Sequence, residues 1–164
     1  MGQIIQIDDS LWGSLVGGVM IGMYHTGTKQ FYSEIIPVTY FRKGQFDKKT
    51  YLAKASTIVL KGFSILESAN HIQVCRGYSL KGVRETLRKM KNKTVECIEI
   101  TGSLQSLLEQ ASAKYLHRIG LPLSSGGAHC ISFEKQLEWV KEKPKRVKFV
   151  KTGWKSWKNK YSLE

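Results

Sequence analysis

Residues 3–9 read Gln3-Ile4-Ile5-Gln6-Ile7-Asp8-Asp9, and a glycine-punctuated apolar stretch follows at once: Ser10-Leu11-Trp12-Gly13-Ser14-Leu15-Val16-Gly17-Gly18-Val19-Met20-Ile21-Gly22-Met23-Tyr24. The isoleucine run has the composition of a buried strand. Asp9 to Ser14 suits a turn, and Leu15 to Tyr24 reads as a second strand loosened by Gly17, Gly18 and Gly22. His25-Thr26-Gly27-Thr28-Lys29 forms another turn. Phe31 to Phe41 reads as a third strand, with Pro37 placing a bulge or an edge inside it. This predicts an antiparallel three-strand meander whose first strand ends in two carboxylates.

Beyond the meander the period changes. Asp47 is an N-cap for a helix over Lys48 to Leu66, where Tyr51, Leu52, Ala55, Ile58 and Val59 recur at helical spacing. His71 to Cys75 is a short fourth strand. A basic helix starts at Ser79 or Lys81 and runs to about Met90, carrying Arg84, Arg88 and Lys89. Val95 to Ile100 is a fifth strand. Ser103 caps a last helix over Leu104 to Ile119, closed by Gly120 and Pro122. The order β-β-β-α-β-α-β-α predicts an α/β fold with a mixed five-stranded sheet, helices lying on its faces.

That order, with an aspartate ending the first strand, resembles the ribonuclease H-like fold of ribonucleases H, Holliday-junction resolvases and endonuclease V-type enzymes. The resemblance covers about residues 3 to 120 and rests on topology and on Ile5-Gln6-Ile7-Asp8-Asp9. It implies that Asp8 or Asp9 is a metal ligand, and that further acids stand near the fourth strand and on the last helix. The fourth strand, His71-Ile72-Gln73-Val74-Cys75-Arg76-Gly77, departs from this pattern by carrying no carboxylate. Glu85, Glu96 and Glu99 are the nearest replacements, and Glu109 matches the final acid.

Charge points to the same class of partner. The 164 residues carry 26 Lys plus Arg against 13 Asp plus Glu, a net charge of +13. Such an excess draws polyanions, with nucleic acid ahead of an anionic membrane surface. Within this cationic chain a carboxylate pair at a strand end can hold Mg²⁺ or Mn²⁺ against a bound phosphate backbone. Strand alternation puts Asp8 and Asp9 on opposite faces, with Asp8 the first choice as ligand; the alternative is an acidic capping pair beside Ser10. Glu96 and Glu99 also face oppositely, so only one can join a site. Glu109 borders the buried stripe of its helix, where a surface ion pair is the competing role.

Arg76, at the end of the fourth strand beside Gly77 and Tyr78, either grips a phosphate or pairs with a nearby acid. The last segment, Lys141 to Lys160, holds nine Lys or Arg and one acid, interleaved with aromatic residues. Lys145, Arg146, Lys148, Lys151 and Lys155 are candidate phosphate contacts, and Trp154 and Trp157 candidate base-stacking residues. The alternative docks both tryptophans into the core. Of the four histidines, none has zinc-site spacing. His117 is a candidate proton carrier. His129 lies in Ser124-Ser125-Gly126-Gly127-Ala128-His129-Cys130, a small-residue loop able to approach a phosphate.

An odd set of cysteines, Cys75, Cys97 and Cys130, without CxxC spacing, excludes a disulfide framework and a zinc knuckle and fits a reducing cytoplasm. Leu11 to Tyr24 is too short and too glycine-rich to span a bilayer. The expected organisation is a core over 1–122, with 123–164 a loop and a basic, aromatic-rich segment packing on the same domain. Two functions stand: a divalent-metal-dependent nuclease acting on DNA or RNA, or a non-catalytic nucleic-acid-binding protein on the same fold.

Overall fold

A computed structural model describes residues 2–123, 131–155 and 157. The strands are β1 (Ile4–Ser10), β2 (Val19–His25), β3 (Phe31–Ile36), β4 (His71–Val74) and β5 (Thr94–Cys97). The helices are α1 (Lys48–Ile65), α2 (Lys81–Arg88), α3 (Ser103–Arg118) and α4 (Phe133–Glu142). The sheet order is β3-β2-β1-β4-β5, antiparallel through β1, β2 and β3, with β4 parallel to β1 and β5 parallel to β4. Meander and crossovers make the mixed five-stranded sheet that the sequence predicts.

The period of two in the central strands sorts the core into two layers. Ile5, Ile7, Ile21 and Met23 pack beneath Tyr51, Ala55, Ile58 and Val59 of α1 and Val83 and Leu87 of α2. Met20 and Tyr24 face the other way, onto Leu104 and Leu108 of α3. Gly22 lets α3 come close, since a Cβ there would stand 2.5 Å from the Leu108 side chain. Asp47 caps α1, accepting from the Thr50 amide at 3.0 Å. At the end of α3, Gly120 adopts φ 95°, and the amides of Gly120 and Leu121 bond the carbonyls of His117 and Leu116. That is a Schellman closure.

Several boundaries differ from the sequence reading. β1 continues through Ser10, so Asp8 and Asp9 lie inside a strand rather than at a turn. β2 starts at Val19, because Leu11 to Gly18 is a loop. Pro37 ends β3 instead of bulging it, and a 3-10 turn over Val38–Phe41 follows. Ser103 is the first residue of α3, and Gly102, which precedes it at φ 88°, offers no side-chain cap. β5 stops at Cys97, short of Ile100. Helix α4 was not anticipated; Ser132 caps it, accepting from the Lys135 amide at 3.2 Å.

Because the second half of the β1–β2 loop, Leu15 to Gly18, is buried, its backbone needs internal partners. Residues beyond α3 supply most of them. Gln136 accepts from the Val16 amide at 3.0 Å, and the carbonyl of Phe149 accepts from the Gly17 amide at 2.8 Å. Lys151 is fully buried, its Nζ donating to the carbonyls of Leu11 at 3.1 Å and Ser14 at 2.5 Å. This overturns the expectation that Lys151 touches phosphate: its charge is spent on the loop. Burial also corrects the two tryptophans. Trp157 is 6% exposed, and Trp154 packs edge-on to Trp12 at 5.0 Å between ring centroids. Neither is a free stacking face.

Two predictions follow from this packing. Gly22→Ala forces a methyl against Leu108 and should lose about 1–3 kcal/mol in urea unfolding, with Leu108→Ala costing less in that background than alone. Burial holds the Lys151 ammonium down at about 7, against its ordinary 10.5. Above pH 7 the unfolded chain therefore keeps a proton that the folded chain has released. Stability should rise from pH 7 to 9 and level off below 7; Lys151→Met should flatten that slope while leaving two carbonyls unbonded, a loss of about 1–3 kcal/mol.

Candidate metal centre

β1 runs past its parallel neighbour. Val74, the last residue of β4, pairs with Ile7, and the Cys75 amide bonds the Ile7 carbonyl at 2.9 Å. Asp8 and Asp9 therefore lie beyond the end of β4. The chain leaves β1 toward β2 on one side and leaves β4 toward β5 on the other. A crevice at the carboxyl ends of two strands that part in this way is where open α/β sheets place their ligands.

Asp9 lies on the α1/α2 face. Its carboxylate accepts from Ser79 Oγ at 2.7 Å and sits where a Cβ on Gly77 would stand 2.6 Å from Oδ1. Only glycine fits there. Arg84 braces the same loop, its Nη1 donating to the carbonyls of Cys75 at 2.8 Å and Gly77 at 2.9 Å. Asp8 lies on the α3 face, opposite Gly22 in the β1–β2 pairing. Its Oδ1 accepts from the Asp9 amide at 2.8 Å, and it also accepts from the Cys75 thiol. An oxygen of each aspartate and Cys75 Sγ lie within 4.8 Å of one another. Among the described residues this is the one group of such side chains close enough to share an ion.

The surroundings are dry. Burial pushes the Asp8 carboxyl above its usual range, only partly opposed by the Cys75 thiol and the Asp9 amide. Burial does the same to Asp9, against Ser79 and the Arg84 guanidinium. The Cys75 thiol is pushed up to about 11 by burial and by its bond to Asp8, so it is neutral at pH 7. Two carboxylates made costly by desolvation, with oxygens converging, are a donor set suited to a hard divalent cation. The third member of the group is the Cys75 thiol and not a carboxylate.

A cleft of about 260 Å³ opens over the pair, lined by Asp8, Asp9, Leu11, Trp12, Gln105 and Glu109. Glu109 is thus brought to the site from α3. Glu99 is not: it is exposed beyond the end of β5 and lies outside the cleft lining. Glu96 faces His71 at 3.3 Å and Gln73 at 3.2 Å on the sheet surface. Arg76 is exposed, its Nε bonded to the Cys97 carbonyl at 3.3 Å, and the arginine beside Asp9 is Arg84. The sequence reading gave Arg84 no role beyond a basic helix; its lone signal is a cation on the helix that follows Cys75-Arg76-Gly77.

Away from this cleft, Lys145, Lys148 and Lys155 are exposed. Arg146 lies over the Trp139 ring at 4.3 Å and pairs with Glu142 at 2.8 Å. These residues, Lys155 apart, border a second, larger cleft with Ile119 and Phe149. His129 and Cys130 fall outside the described residues. No described helix is long and apolar enough to cross a membrane.

No protein-family model matches the chain. No curated protein matches it either. Among solved structures, the catalytic core domain of BIV integrase aligns over 84% of this chain and 80% of its own length, at 14% identity and a TM-score of 0.46.

Asp8→Asn should raise the melting temperature of the metal-free protein at pH 8, because it removes a desolvated charge, and the gain should vanish as pH falls through the raised carboxyl range. Mn²⁺ should raise the wild-type melting temperature, and Asp8→Asn should abolish that rise. A wild-type melting temperature indifferent to Mn²⁺ and Mg²⁺ would remove the metal centre.

Proposed function

We propose that the protein is a divalent-metal-dependent nuclease that cleaves phosphodiester bonds in DNA or RNA. One observation carries this reading: Asp8, Asp9 and Glu109 line a single cleft at the carboxyl ends of two parallel strands, in a chain whose net charge is +13. Three carboxylates in one cleft of so cationic a molecule fit a site that holds a cation under a phosphate.

Asp8 and Asp9 would hold Mg²⁺ or Mn²⁺, with Glu109 completing the oxygen shell from α3. When bound, the cation supplies an acidified water and stabilises charge on the attacking and leaving oxygens. The rest falls to the chain. Ser79 and the Arg84-braced loop hold Asp9 in one orientation. Leu108 and Trp12 exclude water from the flanks of the cleft. Arg76, exposed at the end of β4, and the lysines at 145, 148 and 155 attract the phosphate backbone, and their contribution is salt-sensitive.

A second reading, a nucleic-acid-binding protein without catalysis, has one observation in its favour: the neutral Cys75 thiol beside Asp8, where a third negative charge would strengthen metal binding.

Single-stranded, duplex and branched oligonucleotides of DNA and RNA, incubated with Mn²⁺, separate the two. Cleavage should occur, and Asp8→Asn should lower it by at least a hundredfold while binding persists, a loss of roughly 3 kcal/mol or more of transition-state stabilisation. Binding that weakens steeply with salt, without cleavage, would establish the second reading. Binding indifferent to salt would remove both.

A further inference from the structure

Tyr78 is the most exposed large apolar side chain among the described residues, at 74%. It does not stand alone. Its ring stacks on Trp12, with centroids 6.2 Å apart and planes 28° from parallel. Trp12 is itself fixed from behind, packing against Phe41 at 6.2 Å, Tyr51 at 5.5 Å and Trp154 at 5.0 Å. The outer ring therefore rests on a rigid aromatic stack, and the inner ring lines the cleft that holds Asp8 and Asp9.

The backbone is held just as firmly. Ser79, the next residue, is buried and bonded to Asp9 at 2.7 Å, while the Gly77 carbonyl on the other side accepts from Arg84 at 2.9 Å. The backbone that carries Tyr78 is thus held next to the acidic pair. Exposed Arg76 lies two residues before Tyr78. A solvent-facing aromatic ring stacked on a tryptophan that lines the acidic cleft, two residues along the chain from an exposed arginine in a basic protein, has the ingredients of a platform for an unpaired base: π-stacking with a cationic neighbour for the phosphate.

We propose that Tyr78, backed by Trp12, stacks on an unpaired nucleobase next to the phosphate held at the Asp8–Asp9 cleft, so that the protein selects single-stranded or frayed nucleic acid over intact duplex. The inference rests on the proposed nuclease reading and names its substrate class. Bases inside a duplex already stack on one another and present only their edges in the grooves. The platform therefore adds affinity only where a base is free. The phenol hydroxyl takes no part, since stacking uses the ring face.

The test measures fluorescence anisotropy of a labelled single-stranded oligothymidine and of a labelled hairpin duplex, without divalent cation. Wild type should prefer the single strand. Tyr78→Ala should weaken single-strand binding by about five- to a hundredfold and leave duplex binding unchanged, and Tyr78→Phe should match wild type. A single strand carrying 2-aminopurine should be quenched by wild type and not by Tyr78→Ala. Because the side chain is exposed, the alanine variant is expected to fold, and its melting temperature in Mn²⁺ checks this on the same sample. Single-strand binding unchanged in Tyr78→Ala, or equal losses on strand and duplex, would overturn the platform, the latter pointing to a general electrostatic or structural effect. Loss of the platform with an intact Mn²⁺ shift sinks this inference alone. A wild-type protein without a Mn²⁺ shift that still stacks on the strand sinks the nuclease alone.

Discussion

The loop between β1 and β2 sets the terms for everything at the site. Leu11 to Gly18 leaves the sheet's central strand, and its second half, Leu15 to Gly18, is buried, where each amide and carbonyl must find a partner or cost about 1–3 kcal/mol. The partners come from 97 to 140 positions away in sequence: Tyr115 Oη for the Gly18 amide, Gln136 for Val16, Phe149 for Gly17, Lys151 for Leu11 and Ser14. Leu11 is held in the left-handed region at φ 70°, a conformation that a non-glycine residue keeps only when its surroundings impose it. That bend turns Trp12 toward the cleft. The geometry of the acidic crevice is therefore secured by residues that look, in sequence, like a basic tail.

This accounts for both the reach and the limits of the sequence reading. The meander, α1 with its Asp47 cap, and the order of strands were legible because isoleucine runs, helical periodicity and Gly/Pro punctuation report local structure. The doublet Asp8-Asp9 and the helix acid Glu109 were legible because their neighbours, Ile7 and Leu108, are core residues in register with a strand and a helix. Lys151 was not. Nothing local separates it from Lys148 or Lys155; only the burial of a loop 140 positions earlier does. Trp154 and Trp157 were misread for the same reason. Aromatic residues among lysines suit base stacking and core packing alike, and tertiary contact decides. Glu99 was misplaced because Thr94–Cys97 is too short a strand to carry it, and alternation has no meaning past the strand's end.

Asp8 and Asp9 share a strand, yet their surroundings give them different parts. Asp9 is locked by Ser79, by the missing Cβ of Gly77 and by the field of Arg84. It has little freedom to change its orientation, which suits a group that defines a position. Asp8 is held by one backbone amide and one neutral thiol, and it faces the α3 side where Glu109 approaches. A neutral thiol is a weak donor that surrenders a carboxylate oxygen cheaply. Asp8 is thus the member of the pair able to turn a lone pair toward an incoming cation.

The same asymmetry bears on Cys75. An acid in its place would put a third negative charge within the same few ångströms, in a setting where burial already drives both aspartates toward the protonated form. Without a cation, such a triad would be harder to hold ionised than the pair. The thiol relieves that repulsion and leaves the fold easier to form in the metal-free state. The further negative charge lining the cleft is then that of Glu109, on a helix brought close by the absence of a side chain at Gly22. Leu108 packs against Gly22 and also lines the cleft, so a change in core packing there reaches the acidic crevice directly.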